Sequence, residues 1–183
     1  IESDGFLACS AEGIKAGDRY QYVLNGQVRR PDPKSNFQPA GVHGPSQVVD
    51  HSTFHWTDRD WQGVPKSDLV IYELHVGTFS SSGTYQGVID KLPRLKELGI
   101  TAIELLPLAQ CPGAWNWGYD GVNLFAPSHN YGTPDDLKSL VNACHEQGIA
   151  IFLDVVYNHL GPEGNYLSEF GPYFSSKHHT PWG

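Results

Sequence analysis

The sequence predicts an α/β fold in which the first three strands of a (β/α)8 TIM barrel follow the end of an all-β sandwich domain. Residues 1–67 are rich in Gly, Pro, Asp, Asn and Ser, whereas strand and helix patterns alternate from Ser67 onward. A doubly wound sheet begins in the same way, but HVGTFSSSG after the first strand is not a Gly-rich phosphate loop. Polar and aromatic residues instead follow the strands directly, as in a barrel.

The first part of the chain contains one clear hairpin. In DRYQYVLNGQVRR, Tyr20, Tyr22 and Leu24 alternate along a strand. The turn signal Asn25-Gly26 follows, and Gln27-Val28 begins the return strand. The next segment, PDPKSNFQPAGVHGPS, has four prolines and no periodicity, which predicts an ordered but irregular connection.

The second part has the order β-α-β-loop-α-β, with parallel strands. DLVIYELHVGTF is a β-rich run that contains the first strand, and TYQGVIDKLPRLKELG has apolar residues at helical spacing until Gly99. Pro93 predicts either a kink or a helix that begins there. ITAIELLPL is an apolar strand with both faces covered. In TPDDLKSLVNACHEQG, Thr133 is the N-cap, Pro134 follows at N1 and Gly148 ends the helix before the third strand, IAIFLDVV.

These elements divide the chain into three parts. We assign residues 1–50 to the C-terminal part of an N-terminal β-sandwich, residues 51–67 to a linker, and residues 68–183 to the start of a catalytic barrel. A complete barrel needs roughly 250 residues, so we expect the barrel to be truncated here. The chain contains no Met, so we also expect that its first residue is not the native start.

The composition excludes several classes of partner. The net charge is −8 without a basic stripe, which argues against nucleic acid or an anionic membrane as the main partner. No apolar run approaches the roughly 20 residues that span a bilayer, and no signal peptide is visible. Cys9, Cys111 and Cys144 are odd in number and lack a C-x-x-C spacing, which indicates reduced thiols in the cytoplasm. Cys144 lies on a predicted helix as a small buried residue.

Two groups of residues are candidates for binding. Asp154, Asn158 and His159 follow the third strand, where they are either structural or line a polar cleft. AWNWGYDGVNLFAPSHNYG, residues 114–132, places aromatic rings among polar groups and glycines: Trp115, Trp117, Tyr119, Phe125 and Tyr131. Flat rings beside Asp and Asn suit a sugar site, because a ring packs on the C–H face of a pyranose. An aromatic core under the loop is the alternative, which we expect for Phe125 and consider for Trp115.

Other candidates are weaker. His51 with His55, or the pair His178-His179, suggests a metal, but no Cys or acid stands at ligand spacing beside them. Ser80–Ser82 has no G-x-S-x-G context. Glu73 and Glu104 are a possible carboxylate pair, although acids buried in a barrel wall are more often hydrogen-bonded structure.

The two candidate stretches, in this order, resemble the α-amylase superfamily of glycoside hydrolases and transglycosidases (glycoside hydrolase family 13). GYDGVNLFAP and DVVYNH carry the resemblance, and IYELHVGTF and GITAIELLPL fit it. The resemblance implies that Tyr119 stacks on the sugar at the cleavage point and that Asp120 lies beside it. It also implies that His159 binds the hydroxymethyl oxygen of that sugar and that Trp117 is a weaker subsite candidate.

The same resemblance implies supporting roles and an incomplete site. Asp154 and Asn158 would order the site from below. In calcium-binding members an Asn at the position of Asn158 helps to hold the ion, but we expect no metal and no cofactor here. The nucleophile and the acid/base residue would lie beyond Gly183, so no catalytic residue is expected in this chain, which by itself would be inactive. The preceding sandwich would be of the carbohydrate-binding, E-set-like type.

Within the superfamily, the sequences of three segments favour one activity. RRPDPKSNFQPAGVHGPSQVVD, the stretch from YELHVGTF to ELLPL, and NHLGPEGNYLSEFGPYFSSKHHTPWG resemble members that cleave the α-1,4 bond next to the terminal trehalose of malto-oligosyltrehalose. They release trehalose with retention of configuration. A 1,4-α-glucan branching enzyme is the alternative, and a non-catalytic glucan-binding module is the third possibility. The expected ligand is a malto-oligosaccharide, and the oligomeric state is open.

Overall fold

The structure, a computed structural model, describes residues 10–177 of the 183-residue chain. Cys9, the pair His178-His179 and the end of the C-terminal motif therefore lie outside the described residues. The strands are β1 Arg19–Tyr20, β2 Tyr22–Leu24, β3 Val28–Arg30, β4 Ser46–Gln47, β5 Ile71–Leu74, β6 Ala102–Leu105, β7 Ala109–Gln110, β8 Asn123–Pro127 and β9 Ala150–Leu153. The α-helices are α1 Val76–Phe79, α2 Tyr85–Ile89, α3 Leu92–Glu97, α4 Pro134–Glu146 and α5 Leu167–Phe170.

The predicted hairpin is confirmed, but it is shorter than expected. β2 pairs with β3 in antiparallel register, and Asn25 and Gly26 both have positive φ, at 50° and 72°. Tyr20 belongs instead to β1, which pairs with β4. We predicted one strand that contains Tyr20, Tyr22 and Leu24. This prediction is wrong for Tyr20, because its partner is Ser46, which is distant in the sequence.

The proline-rich segment is ordered and irregular, as predicted. Residues 31–45 bury Ser35, Phe37, Gln38 and Val42 without forming a helix or a strand, and the last residue of the segment, Ser46, begins β4. The predicted linker contains the 3-10 helix His51–Thr53 and the start of a second, Lys66–Asp68, and it packs against α4 through Thr57. Its contacts include a stacked pair of rings, Trp61 and His145, whose centroids are 4.5 Å apart.

The three long strands form a parallel sheet in the order β5-β6-β9. The predicted β-α-β order is confirmed, and so is the α/β class of this part of the chain. The N-cap of α4 is also confirmed. The Thr133 hydroxyl accepts from the backbone of Asp136, and the Asp136 carboxylate accepts from the backbone of Thr133.

The helical pattern after β5 forms two helices. α2 ends at Ile89 and α3 begins at Leu92, with Pro93 in its first turn. The second alternative, a helix that begins near Pro93, is therefore confirmed, because the proline ring suits the first turn, where an N–H would have no partner. The short helix α1 after β5 was not predicted.

The apolar core lies between one face of the sheet and the helices. Its buried members are Leu74, Val76, Tyr85, Val88, Leu92, Leu95, Ile100, Ile103, Leu105, Leu108, Tyr131, Leu140, Cys144 and Ile149. Each fully buried Leu, Ile or Val contributes about 1.5–3 kcal/mol. Because side chains alternate along a strand, Glu73 and Glu104 point to the face opposite Leu74 and Leu105. That opposite face carries the polar groups described next.

Two of the three cysteines lie within residues 10–177. Cys111 and Cys144 are buried and unpaired. Burial raises the pKa of the Cys144 thiol to about 12, so this thiol stays protonated at neutral pH. Cys144 is thus a small core residue of α4, as expected.

Candidate functional site

The candidate site lies at the carboxyl ends of the parallel strands. Asp154 follows β9, and its backbone N–H donates to the carbonyl of Leu105 at 2.9 Å, which continues the sheet by one residue. His75 follows β5 in the same way. Since parallel strands end at one edge of a sheet, residues that are distant in sequence meet here.

The centre of the site is Tyr119, which is held at both ends. Its hydroxyl donates to Oδ2 of Asp154 at 2.8 Å, and its carbonyl accepts from Nε2 of His159 at 2.8 Å. Because Nε2 carries the proton, Nδ1 of His159 accepts from the Asn158 amide at 2.9 Å. Tyr119 is nevertheless 40% exposed. The structure therefore brings Tyr119, Asp154, Asn158 and His159 together around an accessible aromatic face.

The electrostatics keep Tyr119 neutral. The hydrogen bond to Asp154 raises the pKa of the phenol, and partial burial and the negative charges of Asp154, Glu73 and Glu104 add to the effect. The hydroxyl therefore remains a donor at neutral and mildly alkaline pH.

Glu73 and Glu104 are neighbours on adjacent strands, where they occupy the same register position. We expected acids in this wall to be buried and hydrogen-bonded. That expectation is wrong, because Glu73 is exposed, Glu104 is half-buried, and neither has a hydrogen-bond partner within residues 10–177. They line the open face of the sheet, since the apolar core occupies the other face.

The loop that carries Tyr119 is fixed by Asn116, which the sequence did not single out. The Asn116 side chain accepts from the backbone of Gly118 at 2.7 Å and donates to Asp120 at 3.2 Å. Its carbonyl accepts from Nε2 of His75 at 2.8 Å. An Asn two residues before a Gly is a local signal for such a turn, but the contact with His75 is not visible in any local pattern.

Gly118 is required where the loop meets Pro107, between β6 and β7. A Cβ on this residue would lie 2.1 Å from the carbonyl oxygen of Pro107, and φ is +94°, which disfavours any other residue. The loop therefore approaches the sheet closely just before Tyr119. Below it, an apolar cavity of about 180 Å³ extends from Pro107 to Leu153 and Asp154.

Three aromatic residues of the stretch 114–132 project outward. Trp115 is 87% exposed, Trp117 is 75% exposed and Phe125 is 59% exposed. The core position expected for Phe125 and considered for Trp115 is therefore wrong. Tyr131 is the aromatic residue of this stretch that enters the core, edge-to-face with Tyr85.

β8 pairs with β7, and its buried positions are Asn123 and Ala126. Leu124 and Phe125 lie between them and are both exposed.

The described part of the chain shows neither a metal cluster nor a membrane helix. No group of three or more His, Cys, Asp or Glu residues within 10–177 is arranged to hold a metal ion. Among the same residues, no helix has the length and apolarity to cross a bilayer. The alternatives based on His51 and His55 therefore gain no support, since His51 contacts Asn36 instead.

The comparison with known families agrees with this arrangement. The family model described as "Alpha amylase, catalytic domain" matches residues 47–180. The chain belongs to the α-amylase family. The match includes both candidate stretches, from Trp115 to His159. It assigns the chain to an α/β TIM-barrel family.

Several members of the α-amylase family are similar over nearly the whole chain. The malto-oligosyltrehalose trehalohydrolase of Saccharolobus solfataricus is 52% identical over 182 residues, or 100% of this chain and 32% of that protein. The enzyme of the same name from Deinococcus radiodurans is 54% identical over 93% of this chain and 28% of that protein. The 1,4-alpha-glucan branching enzyme GlgB of Pseudoalteromonas atlantica is 35% identical over 91% and 25%, respectively. The chain thus spans no more than about a third of these curated relatives.

A solved structure of the family is also similar. The crystal structure of a protein described as a candidate α-amylase from Salmonella typhimurium superposes with a TM-score of 0.90 and 47% identity. The superposition covers 93% of this chain and 30% of that chain.

Proposed function

We propose that the whole protein is a glycoside hydrolase that cleaves the α-1,4 bond next to the terminal trehalose of malto-oligosyltrehalose. Two relatives with this name are more than 50% identical to the chain, whereas the branching enzyme is 35% identical. The observation that carries the proposal is the exposed ring of Tyr119, held by Asp154 and His159. Since the ring is already fixed, little conformational entropy is lost when a sugar packs on it.

Each site residue has a role in this proposal. Tyr119 stacks on the glucose at the cleaved bond, and Asp120 forms the adjoining wall. Trp117, with 75% of its surface exposed, contacts a more distant glucose. Asp154 acts through Tyr119, because its carboxylate accepts the phenol proton.

The histidine has a more restricted role than the family resemblance implies. Both ring nitrogens of His159 already have partners, the carbonyl of Tyr119 and the amide of Asn158. In this state His159 and Asn158 position the main chain of Tyr119. A bond from His159 to the sugar's hydroxymethyl oxygen requires that one of these contacts is exchanged.

The architecture proposed for the whole protein is a barrel preceded by a sandwich. β5, β6 and β9 would be its first three strands, within residues 68–183, with residues 1–50 in the sandwich and 51–67 in the linker. The parallel order of the strands supports this, as does the segregation of apolar and acidic side chains to opposite faces.

The chemistry would be a double displacement. A retaining glycosidase needs two carboxyl groups roughly 5–5.5 Å apart, one as nucleophile and one as acid/base. We assign neither role to a residue among 10–177. These residues bind and orient the sugar, and the reaction needs no metal or cofactor. The unpaired thiols of Cys111 and Cys144 support a cytoplasmic location.

Product analysis tests the proposal. The whole protein is incubated with maltotriosyl trehalose, and with maltopentaose as a control that has the same number of glucose units but no trehalose end. We expect trehalose and maltotriose from the first and much slower cleavage of the second. An increase in α-1,6 linkages in amylose without free trehalose would identify a branching enzyme. Binding of maltopentaose without any turnover would identify a binding module.

A further inference from the structure

A second cleft, separate from the Tyr119 cluster, lies where three parts of the chain meet. It has a volume of about 340 Å³. Its walls are formed by residues 40–43, by residues 111–114 after β7, by residues 129–130 after β8, and by Glu163. The walls are in close contact, because a Cβ on Gly164 would lie 2.5 Å from the Val42 side chain. We refer to this space as the junction cleft.

His129 presents a fixed acceptor at the junction cleft. Oε1 of the fully buried Gln110 accepts from both the backbone N–H and Nδ1 of His129, each at 2.9 Å. The other end of the Gln110 amide donates to the carbonyl of Cys111, which fixes the amide orientation. Nδ1 therefore carries the proton. Burial lowers the pKa of His129, so the ring is neutral at pH 7 and Nε2 is an acceptor.

Nε2 of His129 has no partner within residues 10–177, although its ring lies at the cleft wall. The neighbouring ring atom Cε1 is 3.9 Å from the position of a Cβ on Gly41, another wall residue. A second acceptor, the carboxylate of Glu163, is held near Nε2 of His43 at 3.3 Å and is largely exposed. His43 is itself fixed, since its Nδ1 lies 2.5 Å from the Tyr166 hydroxyl.

The chemistry of the wall selects a neutral ligand rich in hydroxyl groups. No Lys or Arg lines the cleft, and Glu163 is its single carboxylate, which disfavours an anionic ligand. The two acceptors require donors, and hydroxyl groups donate. Ala40, Gly41, Gly113 and Ala114 are small wall residues, which leaves room for a sugar ring.

The junction cleft adjoins the Tyr119 site through Gly161. The backbone of Gly161 donates to the carbonyl of Gly121 at 3.2 Å and packs against Asp120. Glu163 follows two residues later. On the other side, Ala114 of the cleft wall is followed by the exposed Trp115.

We propose that the junction cleft is a second carbohydrate subsite, which binds a glucose unit of the malto-oligosaccharide remote from the cleaved bond through His129 and Glu163. The identity of the sugar as an α-glucan rests on the proposed function. The hydroxyls of the glucose unit donate to Nε2 of His129 and to the carboxylate of Glu163, and Trp115 forms the outer edge of the subsite.

The test is His129→Asn in the whole protein, with maltoheptaose as the ligand in isothermal titration calorimetry. Nδ2 of Asn is bonded to Cγ, as Nδ1 of His is, so the donor to Gln110 is kept and the Nε2 acceptor is deleted. The loss of one hydrogen bond predicts a Kd about three- to tenfold higher. His145→Asn is the matched control, because Nδ1 of His145 also bonds an acceptor, Asp58, at a distance from the cleft.

Glu163→Ala provides a second test, since an exposed side chain is removed without loss of the fold. Glu163→Ala is expected to raise the Kd by a similar factor. If His129→Asn does not fold, the result for Glu163→Ala alone decides whether the subsite exists. Wild-type affinity in Glu163→Ala and in folded His129→Asn would overturn the subsite, whatever the trehalose assay gives. Weakened binding in both, with His145→Asn unchanged, supports it. If the same protein releases no trehalose, the proposed reaction fails and the subsite stands.

Discussion

Gly161→Ala tests how closely the segment after β9 controls the position of Tyr119. A Cβ on Gly161 would lie 2.2 Å from the carbonyl oxygen of Asp120. The backbone of Gly161 is not in the left-handed region, so alanine can adopt its φ and ψ without strain. The substitution is disfavoured because the Cβ has no space. The two segments must separate by about 0.8 Å to reach 3.0 Å, below which Cβ contacts are essentially never seen.

The expected effect is larger on activity than on stability. Overpacking of this kind costs about 1–3 kcal/mol in free energy of unfolding. The displaced residue, Asp120, follows Tyr119 directly, and His159 on the moving segment holds the Tyr119 carbonyl. A misplacement of about 1 Å costs up to about 10²-fold in rate. We expect kcat/KM for trehalose release by the whole protein to fall about 10- to 100-fold.

The matched control is Gly171→Ala, ten residues later on the same segment. Gly171 has an extended backbone with φ 170°, and its nearest contact would be the Tyr173 ring at 3.6 Å, an ordinary van der Waals distance. Stability is measured by urea unfolding and activity by initial rates. If folded Gly161→Ala kept its activity within twofold of Gly171→Ala, the close approach would not position Tyr119, and the reasoning would be refuted.

Three further predictions concern the scaffold. Thr133→Ala removes the capping box of α4 and is expected to lower the free energy of unfolding by about 1 kcal/mol; an unchanged urea midpoint would contradict it. Cys144→Ser places an unpaired hydroxyl in the core and is expected to cost about 1–3 kcal/mol in the same assay, whereas Cys144→Ala costs less. Burial raises the pKa of Tyr131 to about 12, above the value near 10 of an unfolded tyrosine. The folded state favours the neutral form of Tyr131. The contribution of this pKa shift to the free energy of unfolding is therefore fully present below pH 10 and is lost as the pH rises towards 12. Unfolding midpoints at pH 9, 10 and 11 should show the decline, and Tyr131→Phe should reduce it.

The sequence predicted the elements whose signals are local. The apolar runs identified β5, β6 and β9, and the residues from Thr133 to Gly148 gave α4 with its cap. The placement of Asp154 and His159 after a strand indicated a polar cleft there, and the resemblance to the α-amylase superfamily implied that they share one site with Tyr119.

The errors concern contacts that local patterns do not contain. Phe125 was expected in the core and Trp115 was considered for it, but burial is decided by which residues of β8 and of the loop already fill the core. Tyr20 pairs with Ser46 across an irregular segment. His75 was missed because its role depends on a carbonyl 41 residues away, that of Asn116.

The most direct test of the central claim compares Tyr119→Phe with Tyr119→Ala in trehalose release from maltotriosyl trehalose. Phenylalanine keeps the ring and loses the bond to Asp154, which at this exposed position is worth about 1 kcal/mol, or roughly fivefold. Alanine also removes the stacking face, which predicts a further loss of about tenfold in kcat/KM. If the two variants had equal activity, the ring of Tyr119 would not contact the sugar, and the proposed site would be wrong.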